Sequence, residues 1–83
     1  MDKILVEIEV PIMNRSYDMF IPATSPMYEV LELIKKAVFS ISDGQFLPQV
    51  DTVLCYQENG EIIDINKFVC ELNVTNGTKL VLI

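Results

Sequence analysis

The sequence contains no histidine and no tryptophan, and it has only 2 cysteines and 3 glycines. Without histidine, two thiols are too few to complete a zinc site or to hold an iron–sulfur cluster through four thiolates. No nucleophilic residue stands beside a base in the sequence, and there is no Gly-rich phosphate-binding loop. We therefore expect no metal, no cofactor and no enzymatic activity.

Basic residues are also scarce, with 6 Lys and Arg against 12 Asp and Glu and a formal net charge of −6. This charge argues against nucleic acid or anionic lipid as the main ligand. The chain has no secretory signal pattern at its start and no apolar run near the roughly 18 residues that a membrane span needs. These features predict a cytoplasmic protein with a protein partner and no direct membrane insertion.

Apolar residues are abundant enough for one core. They make up 51% of the 83 residues, and a chain of this length buries roughly 60–65% of the surface that its unfolded form exposes. We expect a single domain over residues 1–83. Cys55 and Cys70 are interpreted as small, semi-buried hydrophobic residues, because a disulfide is improbable without a secretory signal.

The only convincing helix covers residues 24–38. Ser25 can act as its N-cap, and Pro26 suits the first helical position. At about 100° per residue, one face of the helix is apolar and continues to Ile41. The members of this face are Met27, Val30, Leu31, Ile34, Ala37, Val38 and Ile41. Such a stripe needs a partner surface, and we expect the remaining segments to supply it as strands.

Residues 3–10 and 17–21 alternate apolar and polar side chains, which predicts an N-terminal hairpin. Pro11 ends the first strand because it has no amide to donate. After the helix, Gly44 is a plausible stop, and Phe46 and Leu47 are expected to pin the following loop.

The second half of the chain predicts a short hairpin and a last strand. Residues 53–57 and 62–63 flank an Asn-Gly pair, the strongest short hairpin signal. A two-residue turn there sets Tyr56 opposite Ile63 and directs Cys55 to the outer face. Residues 78–83 form the last strand, with Leu80 and Leu82 facing inward. Hairpin, helix, short hairpin and returning strand make an α+β β-grasp arrangement, with a four- to five-stranded mixed sheet packed on one helix.

The pattern from residue 4 to residue 83 resembles ubiquitin, and more closely the small bacterial ubiquitin-like proteins of the YukD/EsaB family. The resemblance to ubiquitin is clearest in residues 72–74 and 78–82, and the stretches that match the YukD/EsaB family are residues 17–21, 26–38 and 74–80. This resemblance implies a cytosolic accessory or regulatory component of a type VII secretion system. The alternative is a generic ubiquitin-like docking domain for another cytosolic partner. Fold alone does not decide between them.

Ubiquitin-like modifiers and the related sulfur carriers end in a flexible Gly-Gly tail. This sequence stops at Leu82-Ile83, and its last glycine is Gly77. If the chain is complete, we expect that it is not a covalent modifier.

Five residues are candidates for partner binding. Cys55, Val81 and Ile83 are expected to share the outer face of the sheet and to match the recognition patch of ubiquitin. Leu5 and Phe20 are expected to be neighbours on the same face. The expected rim of the first group consists of Glu7, Glu9 and Lys79. Two other readings stay open: β-propensity alone selects these apolar residues, or the pair at positions 5 and 20 mediates self-association. The chain is thus expected to be a monomer or a weak homodimer.

Overall fold

The computed structural model describes residues 2–83. Within that range it contains four β-strands, one α-helix and two short 3₁₀ turns. In chain order the elements are β1 (Lys3–Val10), a 3₁₀ turn (Pro11–Met13), β2 (Arg15–Pro22), α1 (Met27–Ile41), β3 (Leu54–Tyr56), a second 3₁₀ turn (Val69–Glu71) and β4 (Thr78–Leu82).

The strands form one mixed sheet in the order β2-β1-β4-β3. Strand β1 is antiparallel to β2 and parallel to β4, and β3 is antiparallel to β4. Inward residues of the strands and the apolar stripe of α1 form one buried cluster. The predicted α+β class and β-grasp arrangement are confirmed, with four strands among the residues described.

The hairpin of β1 and β2 has the predicted faces. Ile4 pairs with Ile21, and Leu5 pairs with Phe20. Asn14 follows the intervening 3₁₀ turn with a φ of 53°, a left-handed conformation that asparagine tolerates. The hairpin therefore places Leu5 and Phe20 side by side on the face away from the core.

The beginning of α1 differs from the prediction. The helix begins at Met27, one residue late, and the Ser25 hydroxyl makes no capping hydrogen bond. The first helical amides donate instead to a distant segment. Met27 N donates to Lys67 O at 2.8 Å, and Tyr28 N donates to Ile65 O at 3.2 Å. The Ser25 prediction is wrong because another part of the chain satisfies these otherwise orphan donors.

The apolar stripe of α1 is confirmed except at its end. Five members are buried: Met27, Val30, Leu31, Ile34 and Val38. Ala37 is half-buried, and Ile41 is exposed. The prediction for Ile41 is wrong because α1 ends at that residue and the chain turns through Asp43 and Gly44, both with positive φ.

The loop after α1 is held by one of its two predicted anchors. Phe46 is buried, whereas Leu47 is exposed. The buried Ser42 hydroxyl donates to Phe39 O at 3.1 Å and accepts from Phe46 N at 3.0 Å. This double contact seats the phenyl ring in the core and directs Leu47 outward.

The turn after β3 has a different register from the one predicted. Cys55, and not Gln57, is bridged to Ile62. Tyr56 N donates to Glu61 O at 2.9 Å, and Gly60 N donates to Tyr56 O at 2.8 Å. The connection is therefore a four-residue loop over 57–60. The register is shifted by two residues, so the inner and outer faces are the ones predicted.

Candidate protein-interaction surface

The outer face of the sheet carries a row of side chains that runs across three strands. Val81 on β4 lies between Glu9 on β1 and Cys55 on β3, and Cys55 is bridged to Ile62 beyond it. Directly opposed residues on one face have Cβ atoms about 4.5–5.5 Å apart. The row therefore forms a continuous apolar strip from Val81 to Ile62, with a carboxylate at one end.

Cys55 occupies the floor of this strip. It is only 5% exposed, although it projects from the outer face. Its two neighbours in the row, Val81 and Ile62, are larger and screen the thiol from solvent. Cys55 lies on the predicted side of the sheet, but it presents little surface of its own, and its contact with a partner stays a prediction. Cys70, expected to be semi-buried, is exposed.

Ile62 is a surface residue that the sequence reasoning missed. It is 65% exposed and completes the strip on the far side of Cys55. The signal was available in the Ile62-Ile63 dipeptide, because consecutive strand residues point to opposite faces and only one of the two can be buried. Ile63 is the buried member.

Ile83 extends the strip to one end of the molecule. Its amide donates to Val53 O at 3.0 Å, and Val53 N donates back to Ile83 O at 2.8 Å, which continues the pairing of β3 and β4 by one residue. The Ile83 side chain is exposed. We call the exposed Ile62 and Ile83, the half-buried Val81 and the Cys55 floor together the outer patch.

An open groove of about 490 Å³ adjoins the outer patch at Ile83. Its lining residues are Pro11, Ile12, Phe46, Leu47, Gln49, Asp51, Thr52, Leu82 and Ile83. Ile12 is 86% exposed on one wall, and Leu47 is exposed on the other. We call this feature the end groove. Because Ile83 belongs to both features, the outer patch and the end groove form one apolar surface.

Acidic residues border this surface on the β1 side. Glu9 lies beside Val81, and Glu7 lies between Lys79 on β4 and Asp18 on β2. The three residues of the predicted rim, Glu7, Glu9 and Lys79, thus lie on this side, and Asp18 adds a third carboxylate. An apolar centre with a charged rim is the usual build of a modest protein interface.

Leu5 and Phe20 form a second, separate outer pair. They are opposed in the β1–β2 ladder, and Phe20 is 65% exposed while Leu5 is half-buried. The row of Asp18, Glu7 and Lys79 separates this pair from Val81. The five predicted residues therefore fall into two groups, and the structure does not bring them into one site.

An open polar pocket of about 680 Å³ lies near the turn after β3. Tyr56 lines it, and burial raises the pKa of its hydroxyl above 10.0. Glu61 and Asp64 push this pKa in the same direction, and a hydrogen bond from the Asn73 backbone opposes them.

Residues 2–83 contain neither a metal-binding cluster nor a membrane-spanning helix. No group of three or more Asp, Glu or Cys side chains in that range is arranged to hold a metal ion. No helix in the same range is long and apolar enough to cross a membrane.

No protein-family model matches the sequence, and no curated protein matches it. Several solved structures are similar to this chain. The ubiquitin-like domain of EccD1, a type VII secretion system protein of Mycobacterium tuberculosis, is 17% identical with a TM-score of 0.76, and the match covers 100% of this chain and 99% of that domain. Protomer 1 of an ESX-3 core complex is 20% identical over 99% of this chain, with a TM-score of 0.74. An ESX-5 inner membrane complex is 12% identical over 100% of this chain, with a TM-score of 0.70.

The chain spans 16% of the matching ESX-3 chain and 21% of the matching ESX-5 chain. It thus corresponds in size to the ubiquitin-like domain and not to those whole proteins. At these identities the similarity establishes the fold: the chain is a ubiquitin-like β-grasp.

Proposed function

We propose that residues 1–83 form one non-enzymatic interaction module, and that it acts on the cytoplasmic side of a bacterial type VII secretion system. In this proposal the module is an accessory or regulatory component of the YukD/EsaB type, and its partner is a protein of the secretion machinery. The chain recognises that partner through the outer patch and the end groove.

The observation that carries the proposal is the apolar surface on a sheet face that the core does not need. The helix covers the opposite face, and Val81, Ile62 and Ile83 are not members of the core cluster. Fully burying one such side chain contributes about 1.5–3 kcal/mol. Three such side chains supply roughly 4–9 kcal/mol at most, and association costs about 4–15 kcal/mol. The exposed Ile12 and Leu47 of the end groove are therefore expected to add to binding.

Two features support a secretion partner. The chain matches the EccD1 ubiquitin-like domain over its full length, and EccD1 is a protein of a type VII secretion system. The acidic rim of Glu7, Glu9 and Asp18 also favours a partner surface with basic residues around an apolar centre.

The first test is affinity capture. The tagged chain is incubated with detergent-solubilised membranes of the bacterium that encodes it, and the retained proteins are identified by mass spectrometry. We expect enrichment of secretion-system membrane subunits over a tag-only control. Neighbouring genes for a membrane ATPase and small WxG-type helical-hairpin substrates would agree with that result. Retention of unrelated cytosolic proteins alone would favour the generic docking domain and overturn the secretion assignment.

A further inference from the structure

The two edges of the sheet are not equally covered. On the β3 side, residues 61–63 run alongside the strand, and Ile63 N donates to Leu54 O at 2.9 Å. On the other side β2 is the last strand, and within residues 2–83 only β1 is hydrogen-bonded to it. Strand β2 therefore presents a free edge that extends over Arg15–Pro22.

The backbone groups that face this free edge can be identified from the register. Ala23 N donates to Asp2 O at 2.9 Å, one step beyond the Lys3–Pro22 pair. Hydrogen-bonded and non-hydrogen-bonded pairs alternate along an antiparallel ladder. The amides of Ser16, Asp18 and Phe20 consequently point away from β1.

A second observation agrees with this assignment. The backbone of Leu5, which is opposed to Phe20, is directed toward the β4 side: its amide donates to Asn76 Oδ1 and its carbonyl accepts from Gly77 N, both at 2.8 Å. The Leu5–Phe20 pair is therefore a non-hydrogen-bonded pair, and the Phe20 amide is free to bind another strand.

The edge carries little of the usual protection against pairing. Natural edge strands carry inward-pointing charges, bulges or prolines, and the one proline of β2, Pro22, stands at its last position. The β1–β2 register runs without a bulge, and the inward residues of β2 are Tyr17, Met19 and Ile21. Tyr17 and Met19 pack against the core but are only partly buried. Apolar surface thus remains uncovered on both faces of the strand, since Phe20 is exposed on the outer one.

We propose that β2 pairs with β2 of a second copy of this chain, antiparallel and centred on Met19. In a symmetric antiparallel pairing, the central residue of the strand lies opposite its own copy. Any residue of β2 can take that position while inner residues stay opposite inner residues. Centred on Met19, the pairing sets Asp18 opposite Phe20 and Tyr17 opposite Ile21. About six inter-strand hydrogen bonds form, from the Asp18, Phe20 and Ser16 amides of both copies.

The neighbouring registers are poorer. Centring on Asp18 sets two carboxylates directly opposite each other, which is destabilising. Centring on Phe20 leaves Ser16 without a strand partner and permits only about four hydrogen bonds. Centred on Met19, the pairing makes the two Phe20 residues diagonal neighbours. Such positions lie about 7–8 Å apart, and aromatic side chains can contact each other across that distance.

The pairing is expected to be weak at low ionic strength. Strand addition buries less than the roughly 1,200 Å² of a stable interface, and each copy carries a net charge of −6. Salt screens this repulsion, so the dimer is expected to strengthen as salt increases. The β2 edge is distinct from the outer patch, so the inference stands or falls independently of the proposed function.

Disulfide trapping tests the register directly. In a Cys70→Ser background, which removes the exposed thiol, Met19→Cys places two thiols opposite each other across the dyad. A non-hydrogen-bonded pair has Cα atoms about 4.5 Å apart, within disulfide range. With oxidised glutathione, we expect a covalent dimer that native mass spectrometry detects. The matched control is Ser16→Cys on the same exposed edge, whose thiols lie far apart in this register.

The second measurement is sedimentation equilibrium at millimolar protein and at low and high salt. Phe20→Glu sets a carboxylate opposite Asp18 at two symmetric positions and should weaken self-association about tenfold or more. Val50→Glu makes the same charge change at a fully exposed loop residue and should leave self-association unchanged. Equal trapping of Met19→Cys and Ser16→Cys, or a wild-type monomer at every concentration and salt, would overturn the proposal.

Discussion

At the residue scale, the burial of α1 alternates sharply between adjacent positions. Ile34 is 1% exposed in the middle of the apolar stripe, and its neighbour Leu33 is exposed. Ile34→Ala leaves a cavity and is expected to lower the free energy of unfolding by about 2–5 kcal/mol. Leu33→Ala, the same kind of truncation at the surface, should change it by less than about 0.5 kcal/mol. Urea denaturation of the two variants measures both values, and similar costs would show that the helix face is misassigned.

The two cysteines provide a second residue-scale prediction. Cys70 is exposed, whereas Cys55 is buried under Val81 and Ile62 on the outer face. One equivalent of thiol per chain should therefore react with Ellman's reagent at once, and the second only in denaturant. Cys70→Ser should remove the fast reaction and leave the slow one. A fast reaction that persists in that variant would mean that solvent and reagent reach the Cys55 thiol between Val81 and Ile62.

At the element scale, the start of α1 shows what local sequence signals cannot provide. Ser25 and Pro26 satisfy every local rule for a helix start, and the start was predicted to within one residue. The acceptors for the first amides come from residues 65 and 67, which no local pattern links to the helix. Only the folded chain brings this loop against α1.

The loop that supplies these acceptors is itself shaped by a side chain. Asp64 Oδ1 accepts from Asn66 N at 2.9 Å, an Asx-turn that orders the loop. Asp64→Ala is expected to destabilise the protein by about 0.5–1.5 kcal/mol. Ser25→Ala should cost almost nothing, because its hydroxyl makes no capping bond. Thermal unfolding compares the two. A larger loss for Ser25→Ala would restore the local capping model.

The turn after β3 was predicted with the wrong length but with the correct side-chain faces. The Asn-Gly pair predicted a two-residue turn, but Asn59 Oδ1 accepts from Glu61 N at 2.9 Å and the loop takes four residues. The resulting register shift of two residues keeps every side chain on its predicted face. Hence the sheet faces on which Cys55 and Tyr56 lie could be predicted, although the residues opposite them across the turn could not.

At the scale of the whole molecule, periodicity and element order were sufficient to predict the β-grasp. Each strand directs toward the core the alternate residues that the sequence indicated, and Val81 lies outward as expected. The end groove was not predictable, because it forms where the loop of Phe46 and Leu47 meets Ile12 and Ile83. Those contacts join segments far apart in the chain. Cys55 is more deeply buried than the predicted semi-buried position for the same reason, since its burial depends on Ile62 across the turn.

The central claim is that the outer patch binds a protein of the secretion machinery, and Val81→Asp tests it most directly. The side chain faces outward between Glu9 and Cys55, so circular dichroism should show a folded variant. Leu33→Asp, an equal change at an exposed helical position, is the matched control.

The measurement is the quantity of secretion-system membrane subunits captured by each folded variant, relative to wild type. Because central apolar anchors dominate interface energetics, we expect Val81→Asp to reduce capture about tenfold or more, while Leu33→Asp leaves it unchanged. Capture by folded Val81→Asp at the wild-type level would contradict the claim.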